Sequence, residues 1–183
     1  MRILIIAVGR SGGHQLNMWL SKELGYKMIH EPKIIPKKIN ENNIVVKYVV
    51  NKMESIDNIN LNNWDKIIGL TRVDTLECAT SYIKAIETKN YRNRYYINDE
   101  WVNQKKLEII QFAKQINKRN NYITEIKEIE LKVTYEGIYN TKEDIQRIKD
   151  YIGIIHTKYE YLLDNKNRLR TISKVKQTKN KIL

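Results

Sequence analysis

The chain opens on Ile3-Leu4-Ile5-Ile6-Ala7-Val8, a continuous apolar run of mostly β-branched residues that ends at Gly9. Such a run suits a strand buried on both faces of a parallel sheet. From His14 the period changes. Leu16, Trp19, Leu20 and Leu24 recur at helical spacing, and Gly25 stands where a C-cap belongs. The opening therefore predicts strand, glycine-containing loop, helix. Three later runs read as strands, 44–50, 66–71 and 131–135, each far enough from the last to admit a crossover helix. Helical patterns are predicted over 75–88, 99–117, 141–151 and 157–165, with Thr141 and Asp144 resembling a capping box that lacks its usual Glu. This alternation predicts an α/β fold, a central parallel β-sheet flanked by helices.

Length and composition narrow the picture. The 183 residues are 42% hydrophobic and 30% charged with only seven Gly and two Pro, which fits one globular domain and excludes collagen-like or disordered classes. Residues 1–165 carry the pattern; 166–183 are rich in Lys and Arg, lack acid, and read as a basic segment that is either mobile or ordered over an anionic ligand. The formal charge of +12 favours anionic partners: nucleic acid, anionic lipid or a phosphate-bearing ligand. A lone Cys78 cannot form an intramolecular disulfide and reads as a small packing residue. The run 3–8 is too short for a membrane span, so a cytoplasmic location without a transmembrane segment is expected. No Cys/His cluster has metal-ligand spacing, and no metal is expected.

Gly9-Arg10-Ser11-Gly12-Gly13-His14 lies where the first strand hands over to a helix. Backbone N–H groups and the helix dipole together make such a junction an anion site, and adjacent glycines let a phosphate approach closely. The loop lacks the Gly-Lys-Ser/Thr of a Walker A motif, which disfavours an ordinary ATP or GTP hydrolase. A glycine turn without ligand is the plain alternative. A second candidate segment runs from the strand 66–71 into the next helix, where Arg72 and Ser81 are placed to meet one anion at the carboxyl end of the sheet. Their plain alternatives are an Arg72–Asp74 ion pair and a serine hydroxyl bonded one turn back.

A strand followed by Arg10-Ser11-Gly12 and a helix resembles the 5′-phosphosulfate loop of sulfotransferases that use 3′-phosphoadenosine 5′-phosphosulfate (PAPS). The pattern around Arg72, Asp74, Leu76, Ala79, Ser81 and Ala85 resembles the bacterial trehalose 2-sulfotransferase branch, and Tyr135-Glu136 followed by Gly153 resembles the late segments of the family. The resemblance implies a P-loop-type domain. It implies that Arg10, Ser11, Gly12, Gly13 and His14 hold the 5′ end of PAPS and that Arg72 and Ser81 hold its 3′-phosphate. Arg168 and Arg170 stand where a late basic loop covers the nucleotide. Gly13 and His14 replace the hydroxyl residues usual in the family, with His14 a possible donor in their stead.

The activity implied is transfer of a sulfuryl group from PAPS to a hydroxyl acceptor, a carbohydrate, glycolipid or other small molecule. Such chemistry needs an in-line nucleophile, charge stabilisation and a base. Arg10 and Lys47 are the candidates for charge, Lys47 because a lysine within a buried strand must reach an anion or solvent. Glu31, placed relative to Arg10 like the general base of the trehalose and heparan branches, is the candidate base, given burial to raise its pKa; a surface Glu before a Pro turn is the alternative. His14 and His30 are reserve bases, and His156 is expected at a core edge or helix start. Two other functions remain open. One is nucleic-acid binding, suggested by the charge and by Tyr91, Arg92, Arg94, Tyr95 and Tyr96, and the other is nucleotide binding without turnover.

Overall fold

The computed structural model describes residues 1–32, 41–50, 59–89 and 97–164. Five strands, β1 (Arg2–Ala7), β2 (Lys27–His30), β3 (Ile44–Val49), β4 (Lys66–Thr71) and β5 (Leu131–Thr134), form one sheet in the order β2-β3-β1-β4-β5. Every pairing is parallel. The helices are α1 (Gly13–Leu24), α2 (Thr75–Thr88), α3 (Asp99–Glu125), α4 (Tyr135–Tyr139) and α5 (Glu143–Ile152). The α/β class expected from the sequence is the one adopted, a parallel sheet flanked by helices in a single domain. Within it the described residues form two compact units, one of Met1–Val73 with Arg119–Asp164 and one of Asp74–Lys118.

In the sheet unit, strand alternation sends side chains to opposite faces, and each face is covered. Ile3, Ile5, Ala7, Ile68 and Leu70 pack with Leu16, Trp19 and Leu20 of α1 and with Ile145, Ile148 and Ile152 of α5. Leu4, Ile6, Val8 and Val46 pack on the other side with Trp64, Ile129 and Ile123, the last from the end of α3. In the second unit, Cys78, Ala79 and Ile83 of α2 form a core with Val102, Ile109, Ala113 and Ile116 of α3, so Cys78 is the buried packing residue expected. Asp74 caps α2 by accepting from the Glu77 amide at 3.0 Å.

Several elements depart from expectation. Strand β2 was not predicted. The third helix runs on to Glu125, and the segment expected to be helical over 157–165 contains only a 3₁₀ turn, Glu160–Leu163. The capping box at Thr141 does not form: Lys142 is the N-cap of α5, and Asp144 turns inward to accept from the Thr134 amide at 2.9 Å. His156 lies exposed between α5 and that turn, at neither a core edge nor a helix start. No described helix is long and apolar enough to cross a membrane.

Candidate anion-binding and catalytic site

The strand order places the site. From β1 the chain departs toward β2 on one side, and from β4 it departs toward β5 on the other, so the loops after these neighbours diverge. Ligands of open parallel sheets bind in the crevice at that point, beyond the carboxyl ends of the strands. The loop Val8–Gly12 and the residue Arg72 both stand there.

The loop is tightly wound. Arg10 and Gly12 take left-handed backbone angles, φ 64° and 79°, which glycine adopts freely and arginine does not. Ser11 is buried, and its hydroxyl donates to the Val8 carbonyl at 2.7 Å, so it fastens the turn from inside. The Gly12 carbonyl starts α1 by accepting from the Gln15 and Leu16 amides. Among the described residues the amides of Gly12 and Gly13 have no acceptor, as the first N–H groups of a helix lack intrahelical partners. A Cβ on Gly13 would lie 3.1 Å from Cε of Lys47, so the lysine stem runs along the start of the helix.

Lys47 is the one charged residue of β3 and is only 7% exposed. It lies opposite Ile5 of β1 and His30 of β2. Its ammonium donates to the Glu31 carboxylate, and the Glu31 amide donates to the Lys47 carbonyl at 3.0 Å. Glu31 itself has φ 47°, a strained value for glutamate. Nε2 of His30 is 3.5 Å from Glu31 Oε1, while Nδ1 of His30 and Nδ1 of His14 are 3.4 Å apart with their rings edge to face. Asn17 of α1 ties this corner down by donating to the Ile29 carbonyl at 2.9 Å.

The proton affinities follow from the geometry. Burial pushes the Glu31 carboxyl up, but the hydrogen bond and charge of Lys47, with His30 and His14, outweigh it and hold the group below its ordinary value. That reverses the direction expected for a general base. Burial pulls Lys47 down, and neighbouring Arg10 adds to the effect; the Glu31 partner opposes both without cancelling them. A depressed carboxylate contributes stability that is complete above the unfolded pKa, about 4.3, and is lost as pH falls through the lower folded value. Urea midpoints measured from pH 7 down to 3 are therefore expected to fall more steeply for the wild type than for Glu31→Gln; parallel curves would refute the linkage.

Arg72, 4% exposed, turns toward the loop. Its Nη1 donates to the Arg10 carbonyl at 2.8 Å, its guanidinium stacks 4.2 Å over the Tyr135 ring, and Nε is 3.8 Å from Glu136. Asn120 fixes the backbone here, accepting from the Arg72 amide at 3.2 Å and donating to the Arg72 carbonyl at 2.8 Å. Glu136 also accepts from the Val73 amide at 3.0 Å. The structure thus brings Arg10, Gly12, Gly13, His14, Glu31, Lys47 and Arg72 into the sheet unit. Ser81 is a half-buried residue of α2 in the second unit. Arg168, Arg170 and the aromatic-basic stretch from Tyr91 to Tyr96 lie outside the described residues.

No protein-family model matches this chain, and no curated protein does. Among the described residues no group of three or more His, Cys, Asp or Glu is placed to hold a metal ion. Sequence reading missed Tyr139, whose hydroxyl donates to the Gly12 carbonyl at 2.7 Å. The signal was a pair of tyrosines, Tyr135 and Tyr139, spaced to share one helix face directly after a strand.

Proposed function

We propose that this chain is a sulfotransferase that moves a sulfuryl group from PAPS to a hydroxyl on a carbohydrate, glycolipid or other small acceptor. One observation carries the reading: at the carboxyl end of the central strand, a glycine loop holds two amides that have no acceptor among the described residues, beside a buried lysine already paired with a carboxylate. The amides of Gly12 and Gly13, with Arg10 and Lys47, supply positive potential for the phosphosulfate; His14 adds a donor at the mouth. The acceptor oxygen attacks sulfur, the bond between sulfur and the phosphate oxygen breaks, and the acceptor proton passes to Glu31. Adenosine 3′,5′-bisphosphate leaves. In this scheme the donor's negative charge draws Lys47 from Glu31, which raises the carboxylate's proton affinity when a base is needed. The assignment of Ser81 to the 3′-phosphate and of Arg168 and Arg170 to the nucleotide cover rests on the family resemblance alone, whereas Arg72, given a 3′-phosphate role by the same resemblance, turns its guanidinium onto the Arg10 carbonyl.

Two measurements test the reading. Calorimetric titration with adenosine 3′,5′-bisphosphate is expected to show binding, and labelled PAPS is expected to transfer sulfate to at least one member of a panel of sugars, lipids and peptides. Absence of nucleotide binding overturns it. Nucleotide binding without transfer would select the non-catalytic binder, a reading favoured by the inward-facing Ser11 hydroxyl. The charge of +12 favours the nucleic-acid alternative, which requires oligonucleotide binding that weakens steeply with salt. Arg72→Ala is expected to weaken nucleotide binding and leave oligonucleotide binding nearly intact.

A further inference from the structure

The two left-handed residues of the loop are each held from outside by a side chain that reaches their carbonyl. Arg72 donates to Arg10 and Tyr139 donates to Gly12. These two side chains are joined through Tyr135, whose ring lies 4.2 Å from the Arg72 guanidinium and 4.8 Å from the Tyr139 ring. We propose that Arg72, Tyr135 and Tyr139 form a brace that sets the loop in its anion-accepting conformation, with Arg72 and Tyr139 acting as positioning residues. The proposal rests on the reading of the loop as a phosphate site.

Peptide geometry makes the brace effective. A carbonyl and the following N–H share one rigid plane and point in opposite directions in a trans peptide. Fixing the Gly12 carbonyl therefore aims the Gly13 N–H, one of the two loop amides that have no acceptor among the described residues. Fixing the Arg10 carbonyl aims the Ser11 N–H, which closes the turn onto the Val8 carbonyl at 3.4 Å. The brace has a firm footing. A helix of only five residues has no stability of its own, so α4 is positioned by its surroundings. The Thr134 hydroxyl accepts from the Gly137 amide at 2.8 Å, and buried Asp144 accepts from the Thr134 amide. The fit at the loop is close: a Cβ on Gly12 would lie 2.4 Å from the Tyr139 ring.

A direct contact between Arg72 and a 3′-phosphate gives a different pattern from a brace, so calorimetry with three probes separates them: adenosine 3′,5′-bisphosphate, adenosine 5′-monophosphate and inorganic pyrophosphate. Tyr139→Phe is expected to weaken all three by a common factor of about three to ten, the loss of one hydrogen bond. Arg72→Gln should also weaken all three together. Tyr151→Phe is the control, since it removes a phenol that accepts from the Ile67 amide at 3.2 Å toward the other end of β4. It should lower the melting temperature without changing any affinity. Wild-type affinities in Tyr139→Phe would overturn the brace, as would a loss in Arg72→Gln confined to the bisphosphate. Tyr139→Phe keeps the ring, so it decides the matter if Arg72→Gln does not fold. Wild-type binding of pyrophosphate without nucleotide would sink the sulfotransferase reading while the brace is still measured on pyrophosphate. Binding of none of the three would overturn both.

Discussion

Glu31→Gln is expected to reduce sulfate transfer by about 10²- to 10⁴-fold, the range for loss of a positioned general base. The substitution keeps the shape and an oxygen for the Lys47 ammonium but removes the charge that the ammonium faces. Donor binding should be retained or tightened, because Lys47 no longer has a competing carboxylate. The decrease should therefore fall on kcat, with KM for PAPS unchanged or lower. A turnover equal to wild type would remove Glu31 from the role of base and leave His14 and His30, which stand beside it, as the next candidates.

Gly12→Ala should abolish measurable nucleotide binding and lower stability at once. Its left-handed backbone costs a non-glycine residue about 1–2 kcal/mol, and crowding of a packed site adds about 1–3 kcal/mol. The crowding is specific, because the new methyl group meets the rings of Tyr139 and Tyr135. Either the tyrosines retreat, which releases the Gly12 carbonyl, or the loop moves. Both outcomes misdirect the Gly13 amide. Thermal melting read together with calorimetry checks this; a variant that melts and binds like wild type would contradict the packing described.

Much of the sheet was legible because buried parallel strands are written as apolar runs: β1 and β4 have that form, β3 has it but for Lys47, and β5 shows instead as the alternation Leu-Lys-Val-Thr. Strand β2 has no such run. It is an edge strand whose residues are mostly exposed, and Lys-Met-Ile-His carries little pattern. That omission hid the principal feature of the site. Lys47 and Glu31 were each singled out, but their partnership arises from the pairing of His30 with Lys47 across β2 and β3, which cannot be inferred without β2. It also explains the reversed proton affinity of Glu31: burial raises it, and the buried lysine opposite, which only the β2–β3 pairing brings near, joins His30 and His14 in lowering it by more. The glycine loop was legible because its residue types have few other uses at a strand-to-helix junction. The brace was not, since the strand pattern runs on through Tyr135 in the sequence, whereas that residue begins a short helix capped by Thr134.

The central position of β1 has a cost during synthesis. Ile3 pairs with Val45 on one side and Lys66 on the other, so the most apolar segment emerges from the ribosome well before either neighbour exists. At about 5–20 residues per second, this sticky ribbon waits for seconds with both hydrogen-bonding edges open. Parallel pairing over such separations is also slow to find. Production of this protein is accordingly expected to benefit from slower growth temperatures or a chaperone that shields nascent apolar segments, and charge-introducing changes at Ile3–Ile6 would relieve aggregation only by destroying the fold.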